Sequence, residues 1–549
     1  MRILATSKRR GIGLMSDPIS RVGKLQTLRP ASRETGWSRE ATVAVVVTLL
    51  VLLVRFWYGW HVSFCGTPDS CAYLALGESL SHHHGFLQNF LYQYQFVSLH
   101  VPTNGMEYWR PGVSLLLLLT QPFGGVTLHS SLIVTALAGV VTALAAWRIA
   151  SNFTDNRGVA CASFLLCLVL PPFWSGSISP DSSLYYGAFA AWFLALFSVR
   201  FRGYRSDIAA LFCIAGLNFI RNDAILLLVP MAVVLWLRRR SGEPRGTSMP
   251  YVVLLVAGFF AATLPLDILN YAVTGKLFPG GASQVLYLTN LSELTSYGNP
   301  APDIHSMLAF GISGLVKLRV VTLPLILYRA LFLYIGFAIV FLAGLALRRG
   351  TRTTEELPLP EFAGGLSFAL TLLGVYGLVL PAIGGFSALR SFTGLLPLAA
   401  VLIVVGIYRA TDSSTMARGL VSAVILFYLT TGTMEDRREQ GGLNQTGDQD
   451  RLVATYLSAH GGIAGRSLIM TNDAAQFSQT TGYAAVPVPN NGLLAIQKAI
   501  QDFRPPYVLL NTEGMPGSET VVQSILQPAG MARIPGTTVL VLTMASSRP

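Results

Sequence analysis

Two aspartates in this chain stand at matching points. Asp69 lies in Gly66-Thr67-Pro68-Asp69-Ser70, just after an apolar run and ahead of a helical pattern made by Tyr73, Leu74, Leu76 and Leu80. Asp181 follows Ser179-Pro180 at the start of another apolar run. Either could cap its helix, because an Asp there accepts from the free amides of the first turn and is favoured by the helix dipole. Two carboxylates at one membrane face could also meet over one pocket. Paired carboxylates serve as acid, base or metal ligand in glycosyl chemistry. A divalent cation held by them is the one candidate cofactor.

Other charged residues lie close to apolar runs. Arg221-Asn222-Asp223 separates two of them in a gap too short for a loop. Ionisable groups so placed suggest a site, although an Arg–Asp pair satisfying a helix break explains them as well. Asp267, near the end of a later run, is similar. Lys276 and Arg390 could bind a lipid phosphate through charge-assisted hydrogen bonds, or could snorkel to ordinary headgroups. His82-His83-His84 does not make a metal site, since three adjacent His cannot all face one ion from a helix. There is no Walker loop and no G-x-G-x-x-G between a strand and a helix, so no nucleotide site is expected.

The elements that must position these residues are membrane spans. Hydrophobic residues make up 52% and charged residues 12% of 549 positions. A soluble globular protein carries about twice that charged fraction. Apolar runs such as Ala41–Trp60 and Pro250–Asn270 are about 20 residues long, enough to cross a hydrocarbon core of about 30 Å. Candidate spans cover 41–60, 129–149, 157–175, 181–199, 206–220, 223–238, 250–270, 322–346, 363–383, 391–408 and 418–434.

The basic residues give the expected orientation. Arg2, Lys8, Arg9, Arg10, Arg21, Lys24, Arg29, Arg33 and Arg39 precede the first span, which puts the N-terminus in the cytoplasm. Arg148, Arg157, Arg200, Arg202, Arg205, Arg238, Arg239, Arg240, Arg245, Arg348, Arg349, Arg352, Arg409 and Arg418 then fall in loops on the same side. The net charge of +12 is explained by this pattern and does not call for nucleic acid. No A-x-A site follows the first span, which reads as a signal anchor.

The expected domains are a cytoplasmic tail over 1–40, a transmembrane domain over 41–434 with a large extracytoplasmic loop over 61–128, and an extracytoplasmic domain over 435–549. A second outer segment runs over 271–321. Val113–Thr120 is too short to span and reads as a juxtamembrane or re-entrant helix. Helical and β-rich runs alternate after residue 450, at Arg451–Ser458, Ser467–Met470, Ala484–Val488, Leu493–Phe503, Tyr507–Leu510, Glu519–Leu526 and Thr538–Leu542. This alternation predicts a small α/β domain. Of the five cysteines, Cys161, Cys167 and Cys213 lie in apolar runs, whereas Cys65 and Cys71 share one loop and could pair in an oxidising compartment.

In order and topological side, the motifs resemble the multi-span GT-C glycosyltransferases that use polyprenyl-phosphate-linked sugars. That group includes protein O-mannosyltransferases and the aminoarabinose and related lipid-modifying transferases. The resemblance rests on Asp69 with Tyr73-x-x-x-Gly77, on Tyr108-Trp109-Arg110-Pro111 before a short helix, and on Ser179-Pro180-Asp181. It continues through Gly216–Asp223, Thr274-Gly275-Lys276-Leu277-Phe278-Pro279 and Arg390–Pro397, and covers about residues 40–410. The chain departs from the pattern where Ser70 follows Asp69 and where Arg110-Pro111 replaces Pro-Pro.

The resemblance implies an α-helical polytopic GT-C-like membrane protein with about eleven spans and a small outer α/β domain. It implies an inverting transferase that moves a sugar from a polyprenyl-phosphate carrier to an extracytoplasmic hydroxyl of a cell-envelope glycan, lipid or protein. Asp69 would be the general base, and Asp181 would support the site or orient the acceptor. Lys276 and Arg390, with Arg221, would hold the carrier phosphate, and Tyr73 and Arg110 would bind substrate. The protein would be multi-pass in the cell (inner or plasma) membrane. Three rivals share the setting: a transporter or flippase, a ligase or polymerase of lipid-linked glycans, and a non-catalytic assembly partner. The absence of internal repeats counts against a transporter.

Overall fold

A computed structural model describes residues 39–95, 98–154, 156–171, 178–197, 204–240, 248–277, 285–330, 359–411, 413–461, 467–511, 526, 528–535, 537 and 539–544. The basic tail before Arg39, Ser175-Gly176-Ser177, the loop arginines Arg200, Arg202, Arg245, Arg348, Arg349 and Arg352, Phe278-Pro279, the 331–346 part of one expected span and the 519–525 part of one outer run lie outside the described residues.

The protein is a polytopic helical membrane protein with a small C-terminal sheet. Among the described residues, 7 helices are long and apolar enough to cross a membrane: Glu40–Trp60, Leu128–Asn152, Met249–Thr274, Gly311–Tyr328, Phe362–Val379, Ser387–Tyr408 and Ser414–Ala459. Six of these fall on expected spans, but Gly311–Tyr328 begins before the span expected over 322–346 and lies mostly in the segment expected as an outer loop over 271–321, because the apolar helical pattern already starts at Gly311. Four further expected spans appear as the shorter helices Arg157–Val169, Ser182–Leu196, Tyr204–Ile220 and Leu228–Arg240. Arg157–Val169 buries nearly every side chain. It is wrapped by the first, second and last membrane helices and by Leu396–Ala410, so its uniform apolarity is met by protein on all sides.

The helix predicted over Val113–Thr120 is present as Gly112–Leu117 followed by a 3-10 turn, Leu118–Phe123. It packs between the Pro68–Ser81 helix and the Tyr204–Ile220 helix. Ser114 Oγ donates to Tyr73 O at 2.8 Å. A side chain at Gly112 would place its Cβ 2.4 Å from the carbonyl oxygen of Phe219. Backbone meets backbone there, so neither partner can turn aside. Gly112→Ala is expected to destabilise the protein by roughly 1–3 kcal/mol. Gly419→Ala, at an exposed helical position with open space around it, should be neutral or slightly stabilising. Thermal unfolding of the two variants in detergent checks the contrast.

The C-terminal part is α/β. Leu87–Gln88 (β1) and Thr103–Asn104 (β2) form a short antiparallel ladder inside the first loop. Leu468–Thr471 (β3), Ala484–Pro487 (β4), Tyr507–Asn511 (β5), Gly530–Arg533 (β6) and Val539–Thr543 (β7) form a sheet ordered β4-β3-β5-β7-β6. β3 pairs in parallel with β4 and β5, and β7 pairs antiparallel with β5 and β6. The helices Ala474–Thr481 and Leu493–Phe503 supply the parallel crossovers. The sequence pattern misses β6, an edge strand whose four residues alternate in neither sense. The segment predicted as a separate helix at Arg451–Ser458 is the end of one 48-residue helix, Ser414–Gly461, which carries the last span on without a break to Gly461.

The three long segments expected on one membrane face lie together at one end of the bundle. Tyr94 N donates to Leu294 O at 3.0 Å, and Tyr297 N to Asn491 Oδ1 at 3.1 Å. One hydrophobic core runs from the sheet (Ile469, Leu509, Val541) and its crossover helix (Phe477) through the first loop (Phe64, Tyr73, Phe90) into the helices (Tyr186, Phe368, Phe392). A second core, around Arg157–Val169, lies wholly among the helices.

Candidate active site

The Pro68–Ser81 helix begins two residues before the expected position. Thr67 Oγ1 accepts from Ser70 N at 3.2 Å, and Pro68 occupies the first turn, where its missing N–H costs nothing. Thr67 is therefore the cap. The capping reading of Asp69 is corrected: its carboxylate is free of that duty. A disulfide between Cys65 and Cys71, with Cα atoms 5.0 Å apart, staples the start of this helix. Gly66 lies at φ +97°, and a Cβ there would come within 3.0 Å of Ser179. The two loops that present Asp69 and Asp181 thus pack against each other.

Asp181 caps its helix and also pairs with a cation. As N-cap of Ser182–Leu196, its Oδ1 accepts from Ser183 N at 2.8 Å and from the Ser183 hydroxyl. Its Oδ2 lies 3.1 Å from Arg390 Nη2. Arg390 comes from the last turn of Pro381–Phe392, where a cation complements the helix dipole. Its Nη1 pairs with Asp69 Oδ2. One guanidinium therefore forks between the two aspartates. The cluster is closed but not sealed: the Arg390 side chain is 22% exposed, Asp69 11% and Asp181 9%. Thr393 Oγ1 donates to Ser183 O at 2.7 Å, which locks the Arg390 turn to the Asp181 helix.

A second cluster adjoins the first. Arg221 Nε lies 3.3 Å from Asp223 Oδ1. Asp223 Oδ2 accepts from Tyr376 Oη at 2.7 Å and from Ser391 Oγ at 2.5 Å. Arg221 Nη2 donates to Tyr376 Oη at 3.3 Å, and its guanidinium lies 5.6 Å from the Tyr186 ring centroid. Tyr376 is delivered by a π-helical turn, Val375–Val379. Such turns offset one side chain from the helix face and are common at functional sites. Because Arg390 and Ser391 are neighbours, one strand of backbone ties both clusters together.

Arg110 is further along. Its Nε donates to Asn222 Oδ1 and its Nη1 lies 3.3 Å from Asp267 Oδ1. Tyr73, one turn beyond Asp69, joins an aromatic group with Trp109 at 5.6 Å between centroids. Tyr92 lies 5.0 Å from Tyr108 and 4.8 Å from Trp109, and its hydroxyl donates to Asp69 Oδ1 at 3.5 Å. Lys276 is exposed, just beyond the Gly275 cap of Met249–Thr274, and its backbone O accepts from Asn270 Nδ2 at 2.6 Å. Among the described residues its side chain makes no ion pair, so it does not join the cluster as it stands.

Burial raises the pKa of Asp69. Arg390 opposes that shift, and the nearby Asp181 charge adds to it. The balance leaves Asp69 more basic than an exposed aspartate, as a proton acceptor requires.

The chain superposes on the crystal structure of ArnT from Cupriavidus metallidurans bound to undecaprenyl phosphate, with a TM-score of 0.56 and 11% identity, over 93% of this chain and 99% of that one. The chain has the GT-C-like fold of ArnT. An apo-state structure of ArnT from the same organism aligns with a TM-score of 0.46 and 14% identity, over 92% of this chain and 99% of that one. No family model matches the chain, and no curated protein matches it. The match to ArnT spans helices and outer sheet alike, so the two parts belong to one architecture.

Within this ArnT-like frame, Asp69, Asp181 and Arg390 converge, with Tyr73 alongside. Arg221 stands beside them in its own pair. Arg110 is held by Asp267 and Asn222. Residues not singled out from the sequence are Tyr92, Tyr376 and Ser391. Ser391 carried a signal, being a hydroxyl directly after Arg390 at the start of an apolar run.

Proposed function

We propose that the protein is an inverting glycosyltransferase that moves a sugar from a polyprenyl-phosphate carrier to a hydroxyl of an extracytoplasmic glycan, lipid or protein acceptor. The observation that carries this reading is the Arg390 fork on Asp69 and Asp181 at one end of an ArnT-like bundle. Two carboxylates face one guanidinium, so an incoming phosphate can exchange with Asp69 on Arg390. That exchange neutralises the phosphate and frees the carboxylate in one event.

Asp69 then takes the proton of the acceptor hydroxyl. The acceptor oxygen bonds to the anomeric carbon from the face opposite the phosphate. The bond from that carbon to the phosphate oxygen breaks, and its electron pair leaves with polyprenyl phosphate. Arg390, with Arg221 beside it, balances the charge that develops on the leaving group. Asp181, fixed by Ser183, keeps Arg390 in place while Asp69 is released.

The orientation follows from the same reading. The site, the first loop and the sheet face the extracytoplasmic side, where the Cys65–Cys71 disulfide would persist. The described basic residues Arg157, Arg238, Arg239, Arg240 and Arg418 lie at the other ends of their helices, toward the cytoplasm.

The test is transfer in proteoliposomes from a labelled polyprenyl-phosphate sugar pool, with the anomeric configuration of the product read by NMR. An inverted product is expected. A retained configuration, or no transfer from any donor in the pool, would overturn the reading.

A further inference from the structure

The mechanism above uses Asp69 but leaves open what the outer sheet contributes. The segment Asn89–Gln95 of the first loop joins the two. Ala485, on edge strand β4, donates its N–H to Asn89 O at 3.1 Å, and its carbonyl accepts from Leu91 N at 2.8 Å. Phe90 bridges Ala485 in parallel. The loop therefore lies on the exposed side of β4 as an added edge, and β4 is not left as an open template.

Side chains along this strap divide between two cores. Leu91 and Tyr94 enter the core of the sheet, with Met470, Val486 and Ile496. The Tyr94 hydroxyl donates to Pro487 O at the end of β4. The Tyr94 ring lies 4.7 Å from Tyr297, whose hydroxyl donates to Asp502 at 2.5 Å. Phe90 and Tyr92 turn the other way, into the core that contains Tyr73 and Trp109. Tyr92 is the residue whose hydroxyl reaches Asp69. The same four-residue stretch is thus anchored in the sheet at Leu91 and Tyr94 and touches the carboxylate at Tyr92.

We propose that Tyr92 is a positioning residue for Asp69, and that the outer sheet holds it in place through the Asn89–Gln95 strap. This proposal rests on the glycosyltransferase reading. Tyr92 fixes one carboxylate oxygen by hydrogen bonding, Arg390 fixes the other, and arrival of the donor releases the Arg390 side while Tyr92 keeps the carboxylate aimed. The outer sheet is then part of the catalytic geometry. The groups that face Asp69 are Arg390 from its helix end, Asp181 from its cap, Arg221 from the short break, and Tyr73, Tyr92 and Tyr108 from the first loop. Removing the Tyr92 hydroxyl removes a donor that favours the ionised form, so the acid limb of the pH profile moves up.

The test is a double-mutant cycle in the full-length reconstituted protein, with labelled polyprenyl-phosphate sugar as the probe. Tyr92→Phe keeps the ring and is expected to lower kcat about tenfold, with KM for the donor within about twofold and the acid limb shifted to higher pH. Tyr94→Phe removes only the anchor to Pro487 and should lower kcat in the same sense. The double variant should be no worse than Tyr92→Phe alone, because both act through one group. Wild-type kcat and an unmoved acid limb in Tyr92→Phe would overturn the role of Tyr92, even though the wild type transfers sugar. Additive losses in the double variant would overturn the role of the sheet. A wild type that transfers no sugar overturns the functional reading and this proposal with it.

Discussion

Asp69→Asn is expected to leave the protein folded and to remove the proposed transfer activity. The side chain is isosteric, and the helix start does not depend on it, because Thr67 is the cap and Cys65–Cys71 braces the turn. The amide oxygen can keep one of the two contacts, to Arg390 at the Oδ2 place or to Tyr92 at the Oδ1 place, and Arg390 stays paired with Asp181. Thermal stability should stay close to that of the wild type. An amide cannot take a proton from the acceptor hydroxyl at neutral pH, however, and loss of a positioned base costs about 10²- to 10⁴-fold. The measurement pairs a melting curve with initial transfer rates. A variant that melts like the wild type and keeps more than a tenth of its activity would place the base elsewhere, with Asp181 the next candidate. In the wild type, activity should fall on the acid side with a midpoint above about 4, the value of an exposed aspartate, because burial raises the Asp69 pKa.

Arg390→Ala costs both stability and activity, and the two losses separate with pH. Without the guanidinium, Asp69 and Asp181 are left facing each other with no shared cation. Leaving buried charge uncompensated costs about 3–5 kcal/mol in closed sites. The partial exposure of the Arg390 side chain lowers the expected loss to about 2–3 kcal/mol at neutral pH. Asp69 is already raised by burial, and Arg390 is what lowers it. In the variant it therefore rises further. A carboxyl with a raised folded-state pKa favours the folded state most below its unfolded value of about 4 and loses that contribution as pH climbs through the folded value. The stability deficit should thus shrink on acidification, which melting curves between pH 5 and 8 would reveal. Activity does not recover in parallel, because the phosphate has lost its cation; a loss of about 10²- to 10³-fold is expected. Arg390→Lys should restore stability more than activity, since an ammonium supplies charge but not a fork across two carboxylates. A deficit independent of pH would show that the three side chains are not electrostatically coupled.

Much of this site could be read from the chain. Asp69, Asp181 and Arg390 stand out because charged residues beside apolar runs are rare and have few places to go. What the chain did not show is which of them meet. Arg390 and Asp69 lie 321 positions apart, and knowing that both sit at one membrane face does not bring them together. The same limit explains Lys276, which shares that face and lies off the cluster. The cap of this helix follows from a local rule that outweighs the carboxylate at Asp69: Pro68 prefers the first helical position, which makes Thr67 the cap. Tyr92 lies in a Tyr- and Gln-rich stretch without periodicity, and Tyr376 lies inside an apolar run where a tyrosine looks like any membrane residue. Its position depends on a π turn, which leaves no mark in the spacing of side chains. In the outer part, β3, β4, β5 and β7 were legible from their branched and apolar residues, because strands buried by helices must be apolar. The connection to the first loop was not legible, since it rests on backbone hydrogen bonds that any side chain would permit.

The 48-residue helix Ser414–Gly461 sets a mechanical condition on the whole molecule. It acts as a mast, unbroken from the last span to Gly461. Above the last span it is keyed to the first loop: Asn444 accepts from Ser63 N at 2.8 Å and donates to His61 O at 2.8 Å, and Arg451 donates to Ser63 O at 2.5 Å. Each residue of a helix turns its faces by about 100°. One residue added between Met434 and Asn444 would swing that key away from the loop, whereas seven would nearly restore its bearing but raise it by about 10 Å. The chain can therefore vary in length along this mast only by breaking the helix or by moving the sheet off the site. The azimuth and height of the helix end that precedes the sheet are fixed by arithmetic along the backbone.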